Sequence, residues 1–265
     1  MIVTQRATQT DPWIARTTPR PRATSRLFCF TYAGGTAAAY RTWAAGLPAS
    51  IEVCPVELPG RGTRLGELPY TRLPDLVRAA APAILPYLDR PFAFFGHSMG
   101  ALVAFELARH LRRAGGLSPT CLLVSAHRAP QVPDLEPPTY ILPDRTLIDK
   151  LRALEGTPKE VLDQPELLRL LLPRLRADFE VCDTYEYRPD APLSCPIAAF
   201  GGRQDKIVPS TDLADWRAQT TGDFRMHLLP GGHFYLHTSQ PLLLHLVTQE
   251  LEASGEGRAS ESQAA

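Results

Sequence analysis

Ser98, Asp205 and His233 are the residues of this chain whose types and settings could carry a reaction. Ser98 stands in Gly96-His97-Ser98-Met99-Gly100, Asp205 ends Gly201-Gly-Arg-Gln-Asp205, and His233 follows Gly231-Gly232. A serine hydroxyl is a weak nucleophile at neutral pH until an imidazole accepts its proton. A carboxylate on the other ring nitrogen fixes the tautomer that leaves Nε2 free and stabilises the imidazolium that forms. Such a trio performs acyl transfer through a covalent intermediate. Asp212, Asp215, Asp223, His227 and His237 compete for the second and third roles, and His237 is the nearest rival. His227 lies within a strand-like run and should face the sheet. His97, His110, His127 and His245 read as structural or solvent-facing histidines.

The elements around Ser98 carry more information than the five-residue pattern. Phe92-Ala-Phe-Phe95 reads as a buried strand and Ala101 to Arg109 as a helix. Strand, Gly-x-Ser-x-Gly, helix is the nucleophile elbow of α/β-hydrolases, a reversal so tight that it lifts the hydroxyl clear of the sheet. Gly96 and Gly100 give room where a side chain would collide with the neighbouring strand or helix. Met99 opens the helix, so its N–H should face a negative oxygen developing above Ser98.

The remaining elements place the partners. Arg26 to Thr31 reads as the first strand and runs into Tyr32-Ala33-Gly34-Gly35-Thr36, a loop whose backbone can approach a ligand closely. Ile51 to Val56, Thr120 to Ser125, Pro196 to Phe200 and Phe224 to Leu229 read as further strands. Leu73 to Leu88 has helical periodicity, with an end made irregular by Pro82 and Pro86, and Ser210 to Gln219 reads as a helix. Asp205 and His233 each follow a strand, and parallel strands deliver their C-terminal loops to one edge, where Ser98 also lies. From about 128 to 192 no strand interrupts a Pro-rich loop and helices at Asp144 to Leu154 and Gln164 to Tyr185, with breaks near Pro158 and at Pro173. Helices inserted there are expected to form a lid over the site, the alternative being that they only extend the core, and different faces can do both. The domain plan is an extended lead-in over 1–25, an α/β-hydrolase domain over 26–251 and a disordered tail over 252–265. The lead-in is poorly ordered from Met1 to Asp11, and the last helix ends near Leu251.

Composition limits the partners. Lys+Arg and Asp+Glu number 28 each, for a formal net charge of +0, which argues against a general attraction to nucleic acid or anionic membranes. Cys29, Cys54, Cys121, Cys182 and Cys195 have no C-x-x-C spacing, so neither a disulfide framework nor a metal site is expected. The N-terminal stretch lacks the apolar segment of a secretory signal, and a cytoplasmic enzyme is the expectation.

Several motifs together give the chain a closer likeness. Trp13, Arg26 to Gly35, Leu58-Pro-Gly-Arg61, Gly96 to Gly100, Leu142-Pro-Asp144, Gly156-Thr-Pro158, Leu175-Arg-Ala-Asp-Phe179, Pro192 to Pro196, Gly202 to Asp205 and Gly231-Gly-His-Phe234 resemble the type II thioesterases, stand-alone α/β-hydrolases of polyketide and nonribosomal peptide synthase pathways. The resemblance implies a mainly parallel sheet flanked by helices with a helical lid insertion. It implies a Ser98, Asp205 and His233 triad, with the Met99 and Ala33 N–H groups as oxyanion hole. The implied reaction is hydrolysis of acyl groups from the phosphopantetheine arm of acyl or peptidyl carrier proteins, for editing or product release. No cofactor, metal, nucleic acid or membrane is expected, and a monomer is. Carrier proteins are typically acidic, so Arg61, Arg64, Arg109, Arg112 and Arg113 are candidates for docking them. Thr31, Gly62 and Lys206 depart from the family's proline, glutamate and proline. Two other functions are a general carboxylesterase on the same fold and a non-catalytic carrier-binding protein.

Overall fold

The apolar runs of this chain form one sheet with helices on both faces. The computed structural model describes residues 12–15, 19–154, 156 and 159–264. The strands are β1 (Ser25–Phe30), β2 (Ile51–Pro55), β3 (Phe92–His97), β4 (Leu122–Ser125), β5 (Ile197–Gly202) and β6 (Phe224–Leu229). Their order is β2-β1-β3-β4-β5-β6 and all five pairings are parallel. The helices are α1 (Trp43–Gly46), α2 (Leu73–Ile84), α3 (Met99–Gly115), α4 (Asp144–Leu154), α5 (Lys159–Leu162), α6 (Pro165–Asp183), α7 (Ser210–Ala214), α8 (Tyr235–Thr238) and α9 (Gln240–Ala264).

Because both faces are covered, the central strands are apolar without a polar side. On β3, Phe92 and Phe94 join the core under α2 and α3, while Ala93 and Phe95 join the core under α1 and α9. Each fully buried Phe stabilises the fold by about 1.5–3 kcal/mol relative to exposure. The edge strand β6 is less covered than the others and leaves Arg225, Met226 and Leu228 exposed. A third apolar cluster of Leu147, Leu151, Leu162, Leu168, Leu172 and Leu175 belongs to α4, α5 and α6 alone. The inserted helices therefore form a layer with its own core, as a lid requires.

The chain is wound in both directions from β1: β2 lies on one side of it and β3 on the other. Ligands bind at such a switch point, outside the carboxyl ends of the strands. The loops leaving it are Tyr32 to Thr36 after β1 and Ser98 after β3.

Four expectations need correction or comment. α6 runs through Pro173 without the expected break. Proline removes one helical hydrogen bond there, but the buried Leu168, Leu172 and Leu175 hold the helix on the lid core across it. The expected break near Pro158, like the poorly ordered lead-in from Met1 to Asp11, falls outside the described residues. α9 continues to Ala264, through the segment expected to be a disordered tail. Alanine, glutamate and glutamine are good helix formers, and a helix nucleated on the core extends through them at little cost. Nearer the start, Ile14 makes an antiparallel bridge with Val56, and Trp13 lies under the Arg64 guanidinium, 4.1 Å from carbon to ring centre.

Candidate active site

Ser98 has φ 53° and ψ −121°, a conformation that L-residues with a β-carbon avoid. Its N–H donates to the Ser125 carbonyl at 2.8 Å and its own carbonyl accepts from Ala101 at 2.8 Å, so strand and helix both clamp the strained residue. The elbow's glycines are sterically obligatory. A β-carbon on Gly96 would lie 2.0 Å from the Gly100 oxygen, and one on Gly100 would lie 2.1 Å from the Phe30 oxygen. Met99 is the first residue of α3.

Two loops bring the acid and the base together. The Arg203 N–H donates to Leu229 O at 2.8 Å, the Gln204 N–H to Gly231 O at 3.0 Å, and the Gly231 N–H to Gln204 Oε1 at 2.6 Å. A β-carbon on Gly202 would lie 2.3 Å from Gly232 O, so the loops after β5 and β6 touch backbone to backbone. His233 Nδ1 consequently meets Asp205 Oδ2 at 2.9 Å, with the aspartate side chain fully buried and the imidazole 9% exposed. The other oxygen, Asp205 Oδ1, accepts from the N–H groups of Ile207 at 2.8 Å and Val208 at 3.3 Å. Burial pushes the Asp205 carboxyl upward, but the His233 hydrogen bond and charge and the two amides outweigh it and hold it below the usual value.

Ser98 and His233 line the same cavity, of about 40 Å³, with Tyr32 and Ala33 from the β1 loop. Leu151, Leu154, Gly156 and Phe179 from the lid close it, and Phe234 completes the wall. A β-carbon on Gly156 would lie 2.1 Å from the Phe234 ring, so the lid rests on the residue after His233. Nucleophile, base and small-residue loop thus line one small cavity. The arrangement suits attack of Ser98 on a carbonyl held in this cavity, with His233 at hand for the serine proton.

The competing residues are placed elsewhere. His227 Nε2 bonds Glu250 Oε1 at 2.8 Å and its ring stacks on Phe200, as expected of a strand residue. His237 Nε2 lies 3.1 Å from the Tyr32 hydroxyl, which makes it a neighbour of the mouth. His97 is buried beneath the elbow, with Nδ1 2.8 Å from Ser125 Oγ, and burial holds it well below the ordinary histidine value.

The arginine patch is largely internal. Arg61 is 2% exposed and pairs with Asp178, Arg109 is 3% exposed and pairs with Glu106, and Arg64 is buried against Trp13. These three cannot greet an acidic partner, because burying a guanidinium demands a local counter-charge. Only Arg112 and Arg113 retain accessible guanidinium surface, and both already meet Asp190. Sequence reasoning missed Asp178 as a functional candidate. The signal was there, since an aspartate at the core-facing spacing of Leu168, Leu172 and Leu175 must be paired. The departure at Gly62 is also explained: its φ is +50°, and a β-carbon there would lie 2.0 Å from Glu57 Oε2.

Comparison with known proteins adds ancestry to this geometry. The family model described as "Thioesterase domain" matches residues 25–250. The gramicidin S biosynthesis protein GrsT of Aneurinibacillus migulanus is 44% identical over 243 residues, covering 92% of this chain and 95% of that protein. RedJ, the thioesterase from the prodiginine biosynthetic pathway in Streptomyces coelicolor, superposes with TM-score 0.83 at 40% identity, over 88% of this chain and 92% of its own. BorB, the type II thioesterase from the borrelidin biosynthetic cluster, gives TM-score 0.85 at 37% identity, over 92% of this chain and 100% of its own.

Proposed function

The chain belongs to the thioesterase family, and from that premise we propose that it hydrolyses acyl groups held as thioesters on the phosphopantetheine arm of acyl or peptidyl carrier proteins. The observation that carries this reading is the shared chamber of Ser98 and His233, with Asp205 hydrogen-bonded behind the imidazole.

In the proposed reaction, His233 Nε2 takes the Ser98 proton as Oγ attacks the thioester carbonyl. The Ala33 and Met99 N–H groups stabilise the oxyanion. The C–S bond breaks, the thiol sulfur leaves with the proton from His233, and the acyl group remains on Ser98. Water then gives a proton to the same imidazole, attacks the ester and releases the acid, and Ser98 recovers its proton. Asp205 stays ionised throughout and stabilises the transient imidazolium. A thiol of pKa about 8.5 is a far better leaving group than an amine, so the imidazole has less protonation to do than in peptide hydrolysis.

The test compares kcat/KM on acyl-loaded carriers with kcat/KM on oxygen esters of the same acyl group. The reading expects the carrier thioester to win by at least about 100-fold, some 2.7 kcal/mol of transition-state stabilisation. Preference for the ester would make the protein a general carboxylesterase. Carrier binding without turnover by the unaltered chain would make it a binding protein.

A further inference from the structure

The loop that supplies Ala33 is held by residues that never reach the cavity's reacting end. Asp178 lies on α6, in the lid, and is 2% exposed. Its Oδ2 accepts the Gly34 N–H at 2.7 Å. Arg61, from the loop after β2, donates Nη1 to Oδ2 at 2.9 Å and Nη2 to Oδ1 at 2.6 Å, and also reaches the Gly35 carbonyl at 3.2 Å. Arg174, one turn before Asp178, donates to the Gly34 carbonyl at 3.1 Å. Gly34 has φ +78°, and a β-carbon there would lie 2.5 Å from Leu175 Cδ2, so α6 packs directly on this turn.

From these contacts we propose that Asp178 and Arg61 are positioning residues that tie formation of the oxyanion hole to seating of the lid; the proposal rests on the thioesterase reading above. The Gly34 N–H belongs to the Ala33–Gly34 peptide, and a charge-assisted bond to Asp178 fixes that plane and with it the backbone of Ala33. Two adjacent glycines would otherwise leave the loop many conformations. Lifting α6 removes the acceptor of the Gly34 N–H and the carboxylate partner of Arg61 together. Lid closure and a formed oxyanion hole are therefore one event. An open enzyme lacks a competent hole, which keeps chemistry from starting before the chamber is closed to water.

The deciding variant is Asp178→Asn. Both carboxylate oxygens are engaged, Oδ2 by Gly34 and Arg61 and Oδ1 by Arg61. Asparagine has one oxygen and no charge: whichever way it turns, its NH2 faces a donor, Arg61 Nη2 or the Gly34 N–H with Arg61 Nη1, and the charge assistance of every remaining bond is lost. On an acyl-carrier substrate, kcat should fall on the order of 10²-fold while KM stays within about threefold. Affinity for an alkyl boronic acid, which forms a tetrahedral adduct on a nucleophilic serine, should fall by a similar factor. A folded Asp178→Asn protein with kcat within about threefold of the parent overturns the proposal, as does a loss confined to KM with boronate affinity unchanged. If Asp178→Asn does not fold, Arg174→Met is read in the same way, since it removes the bond to the Gly34 carbonyl and a cation beside Asp178 from a half-buried side chain while leaving the Asp178–Arg61 pair in place. It should lower kcat about fivefold at constant KM, and a lowered melting temperature with unchanged kcat would overturn the proposal. Ser98→Ala, assayed in parallel, separates the two readings: full turnover there would remove the serine-hydrolase mechanism itself, whatever Asp178→Asn does.

Discussion

His233 Nδ1 and Asp205 Oδ2 lie 2.9 Å apart, although 27 residues separate them in the chain and each sits on its own loop. The contact follows from adjacency: β5 and β6 are paired from Ile197↔Phe224 to Gly202↔Leu229, so their C-terminal loops emerge side by side. Asp205→Asn keeps the shape but supplies an N–H where an acceptor is needed, which favours the wrong tautomer. We expect kcat to drop about 10³- to 10⁴-fold with little change in melting temperature, measured by steady-state kinetics and thermal unfolding.

Strain at the nucleophile should be visible in stability. Ser98→Ala and Ser98→Gly both delete the hydroxyl and should both abolish turnover. Only glycine relieves the positive φ of 53°. Ser98→Gly should therefore be more stable than Ser98→Ala by about 1 kcal/mol or more, read from urea midpoints.

How legible this was in the sequence depended on whether a local rule or a long-range contact set the outcome. Ser98, Asp205 and His233 could be found because the elbow demands glycines at fixed places and because strand ends converge. The irregular end expected of Leu73 to Leu88 is there: the helix runs through Pro82, ends at Ile84 and tightens over Leu85–Tyr87 around Pro86. Arg61 stands among the docking candidates on sequence because nothing in its neighbourhood of the chain reveals Asp178, 117 positions away. The break that sequence places at Pro173 is absent for a related reason, since tertiary packing of α6 overrides a local breaker. The tail after Leu251 looked polar enough for disorder, but its composition also suits helix extension.

Acid should weaken the fold before it protonates Asp205. Burial holds His127 down to about 4, and it holds His97 well below the ordinary value. An unfolded histidine titrates near 6.5, so as pH falls from about 6.5 toward 4 the unfolded state takes up protons that the folded state refuses. The stabilisation is complete above about pH 6.5 and each histidine loses at most about 1.4 kcal/mol per pH unit below it. Urea midpoints should decline from pH 7 to pH 5, and His127→Asn should flatten the decline. The depressed Asp205 carboxyl works in the same sense at lower pH: its contribution is intact above about pH 4 and fades only beneath that.

The lid's seat on the base loop can be perturbed from one atom. Gly156→Ala places a β-carbon against the Phe234 ring, which must shift or lift the lid. We expect kcat/KM to fall about tenfold, and Phe234→Ala added to Gly156→Ala to recover part of it. A double-mutant cycle should give a coupling of about 0.5–3 kcal/mol between the two positions. Independent, additive losses would show that they do not meet.

The central claim is that Ser98 carries the acyl group between the two half-reactions. Rapid acid quench during turnover of an acyl-loaded carrier, followed by peptide mass spectrometry, measures this directly. The account predicts one acyl mass on the peptide holding Ser98, formed and lost at rates compatible with kcat, and none in Ser98→Ala, which also fails to turn over. An acyl group on another residue, or undiminished hydrolysis by Ser98→Ala, would contradict it.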